Sequence, residues 1–330
     1  MLTPPKITEV PGHLERALAL AEEADSRAYP KPTVGAVVVA ADGTVVGEGA
    51  TEAGRSGRHA ERVALETAGE RARGGTLVVT MEPCAHHGST PPCTDAVLEA
   101  SIARVVVGQR DPNPNVRGGG FETLRKAGVD VELADGEVAL RARQQLEAWR
   151  TWVTTSRPFV TYKAAVTLDG RVTTPGSRWV SGEASRRLVH ELRAHSDAVA
   201  VGMGTVRADD PRLDARDVLT PRGQPRRIAF GRGPLPEGSE LDLRSGPLDE
   251  ELARLGADGV QSLLLEGGPT LAAGFLERDL VDKLLVFVAP RLSGEGPGLL
   301  AELARFRELG LVAAQLIGED VLLSAYVHAP

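Results

Sequence analysis

Two short stretches hold the residues best suited to chemistry: His59-Ala60-Glu61, and the segment from Glu82-Pro83-Cys84 to Cys93. Cys84 and Cys93 are the only cysteines among 330 residues. One imidazole and two thiolates make a three-ligand zinc site whose fourth position stays free for water, the open arrangement of catalytic rather than structural zinc. Zinc lowers the pKa of such a water enough to give hydroxide near neutral pH. Glu61, two residues after the histidine, then serves as a proton carrier and not as a ligand.

The pattern His-x-Glu…Pro-Cys-x-x-Cys is the signature of zinc nucleobase deaminases. Here eight residues, 85–92, separate the cysteines instead of two. Two other readings stay open: a disulfide, or two small buried residues, as free cysteines often are. Nothing suggests export, which disfavours the disulfide. His86 and His87, inside the loop, rank below His59 as ligands because that loop faces solvent or substrate.

These residues need a scaffold, and the length of 330 residues predicts two domains. With 42% hydrophobic and 25% charged residues the chain is an ordinary soluble globular one. The start, Met1 to Lys6, has no basic-then-apolar signal, and no stretch approaches 18 apolar residues, so no membrane association is expected. Two cysteines and no targeting signal suit a reducing cytoplasm. A net charge of −7 and only 4% aromatics disfavour nucleic acid as a partner. The expected substrate is a small molecule.

Taken in order, His13 to Ala28 has a helical apolar repeat, with Leu14, Ala17, Leu18 and Ala21 on one side. Pro30 to Gly35 breaks it. Ala36 to Gly47 reads as two β-branched strands joined at Asp42-Gly43. A loop from Gly54 to Arg58 leads into the helix bearing His59 and Glu61, which belong in its first turn. Thr76 to Thr80 is a buried strand ending near Cys84, Thr94 to Ser101 is helical, and Arg104 to Gly108 is another strand. Asp111 to Asn115 is a turn cluster, followed by Gly118-Gly119-Gly120 and the helix Phe121–Ala127. Strands alternating with helices imply a layered α/β sheet. The polar, proline-ended run Thr154 to Pro158 places a boundary near residue 155.

A second α/β cycle follows. Strands are expected at 159–166, 197–202, 226–231, 261–266, 283–288 and 321–327, with a helix from Glu183 to Ala194 and mostly loop from Asp214 to Gly246. Gly202-Met203-Gly204-Thr205 and Glu266-Gly267-Gly268-Pro269-Thr270 each follow a strand. Their backbone N–H groups could cradle phosphate at a helix N-terminus, or the glycines could merely serve tight turns. Neither is a Gly-x-Gly-x-x-Gly fingerprint, so a standard dinucleotide unit is not supported.

The combination resembles the bifunctional riboflavin-biosynthesis deaminase/reductase family over nearly the whole chain. The deaminase half matches through His59-Ala60-Glu61, the Glu82 to Cys93 segment with its long Cys–Cys loop, and Asp111-Pro112-Asn113-Pro114. The reductase half matches through Lys163 to Gly170, Ser177-Arg178-Trp179, Gly204 to Leu213, and Glu266 to Leu271. The resemblance implies an α/β chain with a cytidine-deaminase-like three-layer α/β/α domain, a zinc-dependent pyrimidine deaminase, over 1–154. A dihydrofolate-reductase-like α/β domain, an NADPH-dependent reductase, then spans 155–330.

It also implies zinc on His59, Cys84 and Cys93, with Glu61 catalytic. Substrate contacts carry over to Lys163, Ser177, Arg193, Leu213, Arg216 and Glu266. NADPH contacts carry over to Ala165, Trp179, Thr205 and Asp209, and to the turn Gly268, Pro269, Thr270, Leu271, Ala272, Ala273 and Gly274. The implied substrate is a phosphorylated pyrimidine, deaminated first and then reduced from ribosyl to ribityl, in a homo-oligomer (dimer or tetramer). Arginines suit its phosphate because their planar fork pairs with it bidentately. Some positions depart from the family: Lys31 replaces an asparagine, Thr51 and Val63 replace histidines at the deaminase pocket, and Gly231-Arg232 replaces Asp-Ser. They motivate an alternative, a reductase with an inactive or repurposed first domain. Arg232 could meet the adenosine phosphate of NADPH or simply be solvated.

Overall fold

The computed structural model describes residues 10–330 apart from 55–56, 89 and 115–118. The opening Met1–Lys6 segment, Arg55, Ser56, Asn115 and Gly118 therefore lie outside the described residues. The chain divides into two compact units, Met1–Thr154 with Pro330, and Thr155–Ala329.

In the first unit α1 (Val10–Ala28) leads to the antiparallel pair β1 (Gly35–Val39) and β2 (Val45–Ala50), which turn at Asp42-Gly43. Then follow α2 (Ala60–Ala68), β3 (Thr76–Val79), α3 (Cys93–Glu99), β4 (Arg104–Val107), α4 (Gly119–Lys126), β5 (Asp130–Leu133), α5 (Gly136–Gln145) and α6 (Glu147–Thr155). The sheet order is β2-β1-β3-β4-β5, antiparallel across β2, β1 and β3 and parallel from β3 to β5. Val37, Val39, Val78 and Val106 pack on Leu14 and Ala17 of α1, while Val38, Leu77, Val79 and Val105 face Ala64, Val97 and Leu124 of α2, α3 and α4. Strands buried on both faces read as continuous valine runs, and the result is the expected α/β/α layering. Gly35 is required by this packing: a Cβ there would stand 1.8 Å from the Ala17 carbonyl oxygen.

The second unit runs β6 (Phe159–Thr167), α7 (Glu183–Ala194), β7 (Ala198–Gly202), α8 (Met203–Asp209), β8 (Arg226–Phe230), β9 (Asp242–Arg244), α9 (Leu248–Ala257), β10 (Ser262–Leu265), α10 (Pro269–Glu277), β11 (Lys283–Ala289), β12 (Gly310–Ile317) and β13 (Asp320–Tyr326). Its eight strands lie in the order β12-β13-β11-β6-β10-β7-β8-β9, parallel from β11 to β9, with β13 and β12 forming an antiparallel ribbon at one edge. Leu252, Leu255, Ala272 and Phe275 of α9 and α10 cover one face. Val189 of α7 and Met203 and Val206 of α8 cover the other.

The expected strands and helices are present, but other elements go beyond them. β5 is short and half polar, β9 has three residues, two of them charged, and α5 and α9 follow turn-rich stretches. The run 214–246, expected as mostly loop, thus contains β9 besides β8. β12 was also unassigned; its residues are almost all exposed, so no alternation marks it.

Candidate active sites

Beyond β3 the chain runs buried through Thr80, Met81 and Glu82 to Cys84. The Glu82 carboxylate fixes this path by accepting the backbone N–H of Phe121 at 3.0 Å and of Asp111 at 3.3 Å. Gly120 permits the approach, since a Cβ there would lie 2.1 Å from the Pro83 carbonyl oxygen. Cys93 opens α3 and donates its backbone N–H to Cys84 Sγ at 3.3 Å. His59 is the N-cap of α2 with an extended backbone and makes no side-chain cap bond, leaving its ring free to turn inward.

The His59 Nδ1 lies 3.2 Å from Cys93 Sγ and 3.6 Å from Cys84 Sγ, and the three ligand atoms fall within 4.8 Å of one another. Nε2 lies 3.5 Å from Thr90 Oγ1. Both thiols are free, so the cysteines do not form a disulfide. One nitrogen and two sulfur donors, brought together from a helix cap, a strand end and a helix start, fit zinc. His86 and His87 are not part of this cluster. Bonds from the Cys93 thiol, and then from His59, hold Cys84 down to about 4, while the same sharing, with burial, pushes the Cys93 thiol up. A bound cation would favour the thiolate form of both cysteines. Glu61, 4% exposed in the first turn of α2, has its carboxyl pushed up by burial.

The second unit holds a cavity of about 920 Å³ at the carboxyl ends of β6, β10, β7 and β8. In open α/β sheets that is where ligands bind. Gly202 and Gly268, both extended N-caps, bring the starts of α8 and α10 to its wall. In the wall Arg193 grips Glu266 with two bonds, Nε to Oε1 at 2.6 Å and Nη2 to Oε2 at 3.0 Å. Lys163 Nζ lies 3.7 Å from the same carboxylate. Burial alone would push Glu266 up, but Lys163 and Arg193 outweigh it and hold the carboxyl below its ordinary value. Burial likewise pulls Lys163 down. At the mouth, Trp179 is 49% exposed, with the guanidinium groups of Arg178 and Arg186 5.1 and 5.2 Å from its ring centre.

Two family models account for most of the chain. Residues 11–109 match the cytidine and deoxycytidylate deaminase zinc-binding region, and residues 158–323 match the RibD C-terminal domain. The riboflavin biosynthesis protein RibD of Aquifex aeolicus (strain VF5) is 39% identical over 317 residues, covering 86% of this chain and 88% of that one. The chain belongs to the RibD family. RibD of Escherichia coli (strain K12) is 36% identical over 365 residues, covering 94% of this chain and 97% of its own. Among solved structures, Acinetobacter baumannii RibD, form 1, superposes with a TM-score of 0.85 at 31% identity, covering 97% of this chain and 99% of that one. The Thermotoga maritima diaminohydroxyphosphoribosylaminopyrimidine deaminase/5-amino-6-(5-phosphoribosylamino)uracil reductase gives 0.80 at 33% identity, with coverage of 97% and 99%. As a RibD protein, this is a bifunctional riboflavin-pathway enzyme, a zinc-dependent deaminase and an NADPH-dependent reductase in one chain.

Of the residues that the RibD resemblance points to, Lys163, Ala165, Trp179, Arg193, Thr205, Asp209, Arg216, Glu266, Gly268, Pro269, Thr270, Leu271 and Gly274 line the cavity. Ser177 does not; its hydroxyl donates to the Trp179 carbonyl at 2.9 Å and accepts that residue's N–H at 3.1 Å. The Leu213, Ala272 and Ala273 side chains are buried in the core instead. Arg232 is exposed and outside the lining, its carbonyl accepting from Arg207 at 2.7 Å. In the first unit Thr51 Oγ1 accepts the Val34 N–H at 2.9 Å and Lys31 Nζ donates to the Gly57 carbonyl at 3.1 Å, so both departures tie loops together. Sequence reasoning missed His190, Arg178 and Arg186. All three line the cavity, and only their helical or flanking spacing to Arg193 and Trp179 could have pointed to them.

Proposed function

We propose that the first unit, taken as residues 1–154, deaminates diaminohydroxyphosphoribosylaminopyrimidine. The second, residues 155–330, then reduces the ribosyl chain of the product to ribityl. The observation that carries this reading is the convergence of His59, Cys84 and Cys93 beside a buried Glu61, in one chain with a reductase cavity. His59 Nδ1 and the two thiolates would hold zinc. When bound, zinc supplies an activated water and NADPH supplies a hydride. Glu61 takes a proton from the water side and delivers it to the departing amine. Its raised pKa suits a group that must both accept and release a proton. The Lys163–Glu266–Arg193 cluster orients the sugar, and the cradle from Gly268 to Gly274 with Ala165, Trp179, Thr205 and Asp209 holds NADPH. Of the remaining expected substrate contacts, Arg216 offers its side chain from the cavity lining, whereas Ser177 and Leu213 could reach a ligand only through backbone atoms.

Among the described residues no helix is long and apolar enough to cross a membrane. Free thiols suit a cytoplasmic setting. A homo-oligomer, dimer or tetramer, is supported by β12, an edge strand exposing Val312 and Leu316 at 66% and 76%. A reductase with an inactive first domain is not favoured, because the ligand triad and Glu61 are all in place. The test supplies the diaminopyrimidine phosphate and NADPH to the zinc-loaded protein. Ammonia release followed by NADPH oxidation is expected, and the absence of both would sink the proposal.

A further inference from the structure

One ring in the Arg193 corner of the cavity has no role in the scheme above: His190 of α7. It lines the cavity three residues before Arg193, on the same helix face. Its Nδ1 lies 3.2 Å from both the Asp214 carbonyl oxygen and the Arg216 backbone nitrogen. A backbone N–H can only donate, so the Arg216 N–H pointing at Nδ1 makes that nitrogen the acceptor. A neutral imidazole accepting at Nδ1 carries its proton on Nε2, at the opposite edge of the ring. With the Nδ1 edge on the backbone, Nε2 is the edge left to meet the cavity. Burial first, and then the cations Arg193 and Arg216, hold the ring below its ordinary value, with the Asp214 backbone carbonyl and Glu266 opposing them. That agrees with a neutral ring.

Arg193, the cation of α7 that acts on this ring, is already committed. Its Nε and Nη2 engage Glu266, which cancels its charge and also faces Lys163. The Asp214 carboxylate turns toward Arg212 at 2.8 Å and Arg216 at 3.6 Å. An anionic group entering this corner therefore meets its open donors on Arg216, whose side chain is 45% exposed, and on His190.

We infer that His190 is a further substrate-binding residue of the reductase site, donating its Nε2–H to the phosphate of the phosphoribosyl substrate beside Arg216. The inference rests on the reading that a phosphoribosyl pyrimidine is reduced in this cavity. The test measures NADPH oxidation by the full-length protein on the deaminated phosphoribosylaminopyrimidine, and on the same compound without its phosphate. His190→Ala should raise KM for the phosphorylated compound roughly 10–100-fold, as expected for a lost bond to a charged group. The kcat should stay within about twofold, and KM for the phosphate-free compound should not move. His190→Gln, which offers an amide N–H near the Nε2 position, should recover most of the loss. An unchanged NADPH Kd in both variants establishes that the cavity is folded. Equal KM rises on both compounds, or none on either, would overturn the inference while leaving the reductase reading standing. A wild type that oxidises no NADPH on the phosphorylated compound would overturn that reading and this inference with it.

Discussion

The two sites solve opposite design problems. The deaminase centre is compact: three ligand side chains, His59 at one helix start and Cys84 and Cys93 around one loop, meet within 4.8 Å, with Glu61 in the first turn of the same helix as His59. The reductase cavity is dispersed, collecting residues from β6, α7, α8, the turn after β10 and α10 around about 920 Å³. A compact metal-type site concentrates its chemistry in a few irreplaceable atoms. A dispersed pocket spreads binding over many contacts, each of modest worth, with one buried ion cluster as its rigid point. The difference teaches that substitutions in the first unit should behave as switches and those in the second as dials.

The largest effect should come from the ligand set. Cys84→Ser should lower zinc content by atomic spectroscopy and reduce ammonia release by more than about a thousandfold, while NADPH oxidation on supplied deaminated substrate continues. Loss of both activities together would erase the contrast between the units. Next is Glu266, the one place where the dispersed site should act like a switch. Glu266→Gln leaves Arg193 and Lys163 facing a neutral amide. Breaking such a buried pair costs about 3–5 kcal/mol, read as a lower Tm of the reductase unit and a fall in its kcat/KM. An unchanged Tm would show the cluster to be no anchor.

The same carboxylate sharpens the contrast through pH. Its folded pKa is depressed below the ordinary 4.5 by Lys163 and Arg193. Its contribution to stability is therefore present above 4.5 and disappears as pH falls through the folded value. The wild-type Tm should drop more steeply below pH 4.5 than that of Glu266→Gln, and parallel curves would contradict the assignment. The smallest effect belongs to the rim. Trp179→Ala removes a half-exposed ring flanked by two arginines and should raise KM for NADPH severalfold, about 1 kcal/mol, with kcat nearly unchanged. A collapse of kcat would make the rim part of the chemistry.

Legibility followed the same divide. His59, Cys84 and Cys93 were readable as a ligand set because metal chemistry demands particular residue types at short separations, and the structure brings the three together. The valine strands and the Glu183–Ala194 helix were readable from burial and periodicity. β9 and β12 were not, since a three-residue strand and an exposed edge strand carry no hydrophobic pattern. Ala272 and Ala273 shared a motif with true cavity residues, but helix rotation turns them to the core, which linear adjacency cannot show. His190 was invisible for the converse reason, since only the fold brings it between Arg193 and the 214–216 backbone.

The central claim is that one buried carboxylate beside the His59, Cys84 and Cys93 ligands drives deamination independently of the reductase. It is tested most directly by comparing wild type with Glu61→Gln, both zinc-loaded, for ammonia release and for NADPH oxidation on supplied deaminated substrate. The account predicts ammonia release reduced about 10²–10⁴-fold, with zinc content and NADPH oxidation unchanged. Ammonia release at the wild-type rate from the variant would contradict it.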